Sequence, residues 1–451
     1  MFEVYFVYIV EVELSDKNPH NRIGESRDSK IKRREPKEKE KYGSFSKFGA
    51  GPAGLLLALF LSKEKIPVHV LEAASEIDGQ PRATHYGPAG VQELERAGVL
   101  EAIRAEGFLP KDLCWRKENG NIIAELQQEH IPLHSRVTSL PVNRVAHIIL
   151  DALRHHPTAK VDFNCKVIRT GQDDDKARVE VETPDGVKTL EASYIVGSDG
   201  ASSTIRKTLF GDSFPGRTWE PWLIASNVYY DFDAHGWDDI NFVIHPQNWF
   251  MAARITKDGL WRVTYGEDGE LTREQCIERQ HERYRSMLPG NPGPERYKVA
   301  NISPYQVHQR CAEKFRVGRF LLVADAAHLC NPFGGFGLTS GIVDVGGLYD
   351  CLFGIYNGLA DESILDKYDE VRRQIFIAQV DKLSTANLQR VMMKDPDRAL
   401  ELDPFLNAAA NAKKDPEAAA RLAQMARGAN SLKHDFRQYY TTFNAESSTS
   451  E

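Results

Sequence analysis

The chain has 451 residues, 41% hydrophobic and 27% charged, with a formal net charge of −7, enough for a large core in two or three domains of roughly 150 residues each. The acidic balance excludes a global attraction to nucleic acid or anionic lipid, and no apolar run approaches the ~20 residues needed to span a bilayer. Small-molecule chemistry is the default reading that remains.

The N-terminal MFEVYFVYIVEVEL carries Glu3, Glu11 and Glu13 where a secretory signal requires positive charge, so no targeting signal is read and a cytoplasmic location is expected. Residues 15 to 43 are dense in charges of both signs and nearly free of apolar side chains, a composition that cannot offset its ordering entropy. Residues 1–43 are therefore expected to be a disordered or aberrant segment.

From residue 49 a phosphate-binding pattern becomes legible. GAGPAG sets Gly49, Gly51 and Gly54 in G-x-G-x-x-G spacing, followed by the apolar helix LLLALFLSKEK and the strand VHVLE. In a βαβ unit the glycines permit a tight turn and close approach of a pyrophosphate, and Glu72 stands near the expected distance of about 20 residues for a ribose-binding acid. The preceding SFSKF, residues 44–48, departs from the Val/Ile/Leu run of a central parallel strand.

Further along, YIVGSDGASSTIRKTL runs from an apolar strand at Tyr194–Val196 into Asp199 and Gly200, then into a helix carrying Ser203 and Arg206. Residues 213–300 alternate apolar and polar positions at strand spacing, and their aromatics suit the roof of an apolar pocket. Tyr230, His245 and Tyr265 are candidates for a hydrogen bond to substrate, although packing within a sheet accounts for each singly, and no catalytic residue is assigned.

The segment GRFLLVADAAHLCNPFGGFGLTSG, residues 318–341, places Asp325 at the carboxyl end of an apolar strand, where open α/β sheets bind ligands. Pro332, Gly334, Gly335 and Gly337 then lead into a helix from Leu338 to Leu352, whose first N–H groups can face a phosphate or an electron-rich ring edge. The alanine-rich residues after about 365 read as helices. The six cysteines form no C-x-x-C pair and no zinc-type spacing, so no metal is assigned and redox work falls to an organic cofactor.

In this order, the three blocks GAGPAG with Glu72, GSDGASSTIR and GRFLLVADAAHLCNPFGGFG resemble the single-component FAD-dependent aromatic monooxygenases, the group of para-hydroxybenzoate hydroxylase and phenol hydroxylase. The resemblance spans roughly Gly49 to Leu352 and includes RATHYGPAGVQELERAGVLEAI. It implies an α/β fold: a Rossmann-like FAD-binding domain with a three-layer, mostly parallel sheet, an inserted mixed β-sheet substrate domain and C-terminal helices. The implied division is 44–212 for the first part of the FAD domain (substrate-side segment near 83–140), 213–300 for the substrate sheet, 301–365 for the second FAD part, and 366–451 for C-terminal helices and tail.

By the same resemblance, Gly49, Gly51, Gly54 and Glu72 hold the ADP half of FAD, and Arg82 contacts its ribose or pyrophosphate. Asp199, Gly200 and Arg206 support both FAD and NAD(P)H, Asp325 binds the ribityl chain, and Pro332, Gly334, Gly335 and Gly337 lie beside the isoalloxazine ring. Where the family carries Gly-Asp this chain has Ala324–Asp325, and the added methyl is expected to press on the backbone near the flavin.

The implied reaction uses NADPH or NADH and dioxygen to hydroxylate a phenolic or polyketide-like aromatic through a flavin C4a-hydroperoxide. Two other readings stay open: a flavin dehydrogenase or epoxidase, and an inactive isoform whose altered first strand impairs FAD binding. The implied partners are a small aromatic substrate and dioxygen, with no nucleic acid and no integral membrane segment; the C-terminal helices are available to pack a homodimer.

Overall fold

The computed structural model describes residues 50–129 and 131–440, the side chains of residues 426–430 excepted. The expectations for residues 1–43, for the strand at 44–48 and for Gly49 lie outside the described residues. Pro52–Lys63 forms the first helix: Pro52 stands in its first turn, where a missing N–H costs nothing. Leu55, Leu56, Leu57, Leu59 and Leu61 are at most 2% exposed, and burial of each stabilises the fold by about 1.5–3 kcal/mol. The helix leads into Val68–Leu71, buried at every position as expected of a strand covered on both faces.

Two parallel strand pairs organise the cofactor-side half. Val68–Leu71 pairs with Ala159–Asp162, and Ile195–Gly197 pairs with Phe320–Leu322. The predicted strand at 320–324 ends early because Ala324 opens a 3₁₀ turn through Ala326. Helices Pro52–Lys63, Val142–Leu153 and Phe336–Tyr356 pack together in the same core. Phe336–Tyr356 is longer than the predicted Leu338–Leu352, and among the described residues it is the one helix long and apolar enough to cross a membrane; it lies buried in the protein instead.

The second body is an eight-stranded mixed sheet. Its order is His328–Leu329, Lys298–Cys311, Gly216–Tyr229, Leu260–Glu267, Phe250–Arg254, Ile240–Ile244, Asp112–Lys117 and Ile122–Gln127, with the Ile240 and Asp112 strands parallel and the others antiparallel. The strand Lys298–Cys311 runs through residue 300, where the sequence reading sets a domain boundary, so the sheet continues to residue 311. Side chains alternate between its faces. One face carries Leu223, Phe242, Ala253 and Val307 against Phe333 and Leu388; the other carries Ile224, Val263 and Tyr265 against Cys276, Tyr284 and Met287 of two covering helices.

A buried ionic cluster joins the Phe336–Tyr356 helix to the helices after it. The Asp344 carboxylate accepts from Arg372 Nε at 2.7 Å, from His328 Nε2 at 2.7 Å and from the Ala324 backbone N–H at 3.1 Å. Arg372 also donates to the Leu432 carbonyl. Burial alone would raise the Asp344 pKa, but His328 and Arg372 outweigh it and hold the carboxyl below its ordinary value. Its contribution to stability is therefore full above the ordinary carboxylate range and is lost as pH falls through the lowered folded value.

Replacing Asp344 by Asn leaves Arg372 buried without a counter-charge. It should cost about 3–5 kcal/mol, read as a lower urea midpoint, and the variant should lose less stability than the parent between pH 5 and pH 3.

Candidate functional site

The site is built where strands end. At the first strand end, the Glu72 carboxylate accepts from the Ala50 N–H at 2.5 Å and the Ala74 N–H at 2.7 Å, so the acid predicted from spacing is tied to the glycine loop. Gly51 is the N-cap of the first helix, and a Cβ placed there meets nothing within 4 Å. Gly54 is buried inside that helix. Arg82 pairs with Asp78 at 2.6 Å on a half-exposed segment, and its charge reaches Asp325.

The middle motif is bound up in its own loop. Asp199 accepts from Ser203 Oγ, from the Thr204 N–H at 2.6 Å and from the Ile205 N–H at 3.3 Å, which satisfies the first N–H groups of the helix Thr204–Phe210. Gly200 takes a φ of +74° with open space around it. Arg206, 4% exposed, donates to the Ala326 carbonyl at 3.0 Å and the Ala201 carbonyl at 2.7 Å, with its guanidinium 3.7 Å from the Phe214 ring centre. Both side chains are thus committed to protein contacts, and Arg206 braces the turn that carries Asp325.

That turn holds the main departure noted in the sequence. Ala324 has a φ of +53°, the left-handed region in which glycine is unstrained. Its methyl is accommodated by the facing helix: a Cβ built on Gly341 would lie 2.7 Å from Ala324 Cβ. The expected pressure on the flavin-side backbone is thus relieved on the opposite side. Asp325 is exposed to a cleft whose walls crowd it, so desolvation pushes its carboxyl pKa up against the pull of His328, Arg206 and Arg82.

The Pro332–Gly337 loop follows, with φ of +98° at Gly334 and +67° at Gly335. A Cβ on Gly335 would sit 3.4 Å from the His85 carbonyl oxygen, and one on Gly337 3.5 Å from Cys330 Sγ. The segment carrying His85 therefore lies directly against the loop; Gly87 N–H adds a 3.0 Å bond to Thr339 Oγ1.

Sequence reasoning missed what faces this loop from the sheet. Tyr230 and Tyr265 belong to the far face, where Tyr230 donates to the Pro289 carbonyl and Tyr265 packs against Tyr284. His245 accepts the Gln247 and Asn248 N–H groups in a turn. The near face instead presents Arg262 and Tyr305, with His85 opposite. Desolvation lowers Arg262 to about 10 and raises Tyr305 to about 12. Desolvation, then the Arg262 charge, lowers His85 to about 4. At neutral pH the three are cation, neutral phenol and neutral imidazole. A lone arginine within LWRVTYGE was the available signal.

The residues present fit a dinucleotide: open space over Gly51, an acid at each of two strand ends, and an exposed carboxylate at a braced turn before a glycine loop. Among the described residues no cluster of three or more His, Cys, Asp or Glu is arranged to hold a metal ion.

Comparison with known proteins gives a family and relatives. Residues 48–382 match the FAD binding domain family. The chain is 38% identical over 364 residues to para-nitrophenol 4-monooxygenase of Pseudomonas sp. (strain WBC-3), covering 80% of this chain and 90% of that one. It is 31% identical over 354 residues to 6-hydroxy-3-succinoylpyridine 3-monooxygenase of Pseudomonas putida (strain DSM 28022 / S16), covering 77% and 88%. The crystal structure of p-nitrophenol 4-monooxygenase from Pseudomonas putida DLL-E4 superposes with a TM-score of 0.79 at 36% identity, over 85% of this chain and 96% of that one.

The contact between Ala324 and Gly341 gives a compensation test. Gly341→Ala should destabilise by about 1–3 kcal/mol through overpacking and weaken cofactor retention, and adding Ala324→Gly should restore both, as measured by thermal unfolding and bound-flavin absorbance.

Proposed function

Because the chain belongs to the FAD binding domain family and is an FAD-dependent aromatic monooxygenase, we propose that it consumes NADPH or NADH and dioxygen to hydroxylate a phenolic ring. Gly49, Gly51, Gly54 and Glu72 would hold the ADP half of FAD, with Arg82 toward its ribose or pyrophosphate. Asp325 would accept from the ribityl hydroxyls, and Pro332, Gly334, Gly335 and Gly337 would lie beside the ring system. Asp199, Gly200 and Arg206 would act by shaping the Asp325 turn, since Arg206 spends its donors on the Ala201 and Ala326 carbonyls. The nicotinamide would bind transiently over this domain's surface.

The observation that carries the reading is the exposed Asp325 carboxylate, set on a left-handed turn at a strand's carboxyl end, immediately before the glycine loop. FAD, when bound, supplies the reduction of dioxygen and the electrophilic oxygen. The chain's own work is to orient the ring and exclude water. Phe333 of the loop, together with Trp249, Phe242, Leu223 and Val307 of the sheet, forms an apolar wall suited to that task.

Asp325→Asn should reduce FAD affinity roughly 10-fold or more, on the usual range for a hydrogen bond to a charged group, measured by flavin fluorescence on dialysis. The parent should oxidise NADPH or NADH with oxygen uptake and release a hydroxylated product from a panel of substituted phenols; FAD binding without any such turnover would refute the proposed reaction.

A further inference from the structure

The near face of the sheet carries a row of small residues between two polar walls. Register aligns Ser303, Ala225, Thr264 and Met251 across four neighbouring strands. The flanking row on one side holds Tyr305, Leu223 and Gly266, with Trp249 packed over Gly266. The flanking row on the other holds Asn301, Asn227 and Arg262. Short side chains between longer ones leave a slot the width of one aromatic ring, and this face is the one that meets Phe333 of the glycine loop.

Arg262 is fixed in this slot from behind. Its Nε donates to Asn227 Oδ1 at 3.0 Å and its Nη2 to the Pro81 carbonyl, which leaves Nη1 as the outer donor, without a partner among the described residues. Tyr305 Oη likewise has none, and neither atom is fully buried. His85, the titratable group facing them from the 79–86 segment, bonds Thr84 Oγ1 through Nδ1 at 2.8 Å and is held neutral. A fixed cation and a neutral hydroxyl, both donors, converge on the slot with no anion beside them; Asp325 and Cys330 lie on the loop side.

We infer that Arg262 and Tyr305 bind the substrate as a phenolate, with Arg262 Nη1 and Tyr305 Oη donating to its anionic oxygen. This rests on the aromatic-hydroxylase reading and names the form in which the ring is held. On binding, the phenol O–H bond breaks, the electron pair stays on oxygen, and the proton leaves to bulk water. The retained charge enriches the ring in electrons, as an electrophilic oxygen transfer requires. Desolvation of the guanidinium strengthens its attraction for the phenolate, and the planar donor keeps its charge at every pH of interest.

4-Nitrophenol tests this without turnover, because its anion absorbs in the visible. With the FAD-loaded protein in buffer below the free pKa of the probe, bound probe should show the nitrophenolate band. Arg262→Gln should weaken binding roughly 10- to 100-fold and abolish the band, Arg262→Lys should restore part of both, and Tyr305→Phe should give a smaller loss. Retained flavin in each variant certifies folding, since the flavin residues are separate from Arg262. An Arg262→Gln protein that binds the probe with unchanged affinity and an intact band overturns the inference, as does a parent protein that shows no band. Tighter, Arg262-dependent binding of 4-nitrobenzoate than of 4-nitrophenol also overturns it, because the cradle would then serve a carboxylate. Failure of oxygen uptake with an intact Arg262-dependent band would instead fault the reaction and leave the cradle standing.

Discussion

The buried carboxylate of Asp344 is the point from which the site hangs. It ties together three pieces of chain distant in sequence: the Phe336–Tyr356 helix that carries it, Arg372 on the next helix, and the turn at Ala324. Desolvating a carboxylate is costly, and only close donors offset that cost; here two side chains and one backbone N–H do so. The consequence is a turn held at a φ that alanine adopts with strain, and on that turn Asp325 projects into the cleft. Arg206 braces the same turn from the other side through the Ala326 carbonyl. Strain at a functional turn persists only where its surroundings over-determine it, and this turn is held from two directions.

A second constraint is the mutual fit of Ala324 and Gly341. A turn that ordinarily calls for glycine carries a methyl, and the helix opposite supplies the missing room. The two positions are one packing unit, so neither can be read alone. The same logic runs along the helix, where Gly346 and Gly347 leave room for Glu93 and Phe436.

The eight-stranded sheet divides its chemistry by face. Alternation sends Tyr265, Val263 and Trp261 into an aromatic core under two helices, and sends Arg262, Thr264 and Gly266 toward the glycine loop. Two residues adjacent in sequence, Trp261 and Arg262, thereby serve unrelated purposes: one is core packing, the other a charged group kept at the edge of an apolar wall. The segment 79–86 closes the slot from below, linked to the sheet through the Pro81 carbonyl and through Gln80, which accepts from Asn301.

Local pattern was enough for the motifs. The glycine spacing around Gly51, the acid at Glu72, the strand-to-turn passage at Asp325 and the helices that follow each motif are written in contiguous residues, because turn geometry and strand burial act over a few positions. The alternation over 213–300 likewise disclosed a sheet, but it could not say which face looks inward. That choice depends on what packs against each face, and so the aromatic candidates Tyr230 and Tyr265 fell on the covered side while Arg262 and Tyr305 went unnoticed. The role of Arg206 as a brace, the Asp344 cluster and the room that Gly341 gives to Ala324 are contacts between residues tens to more than a hundred positions apart. Sequence by itself determined the cofactor motifs and the class of fold; only the tertiary structure decided which side chains meet at the ring, because register and face are settled by packing at a distance.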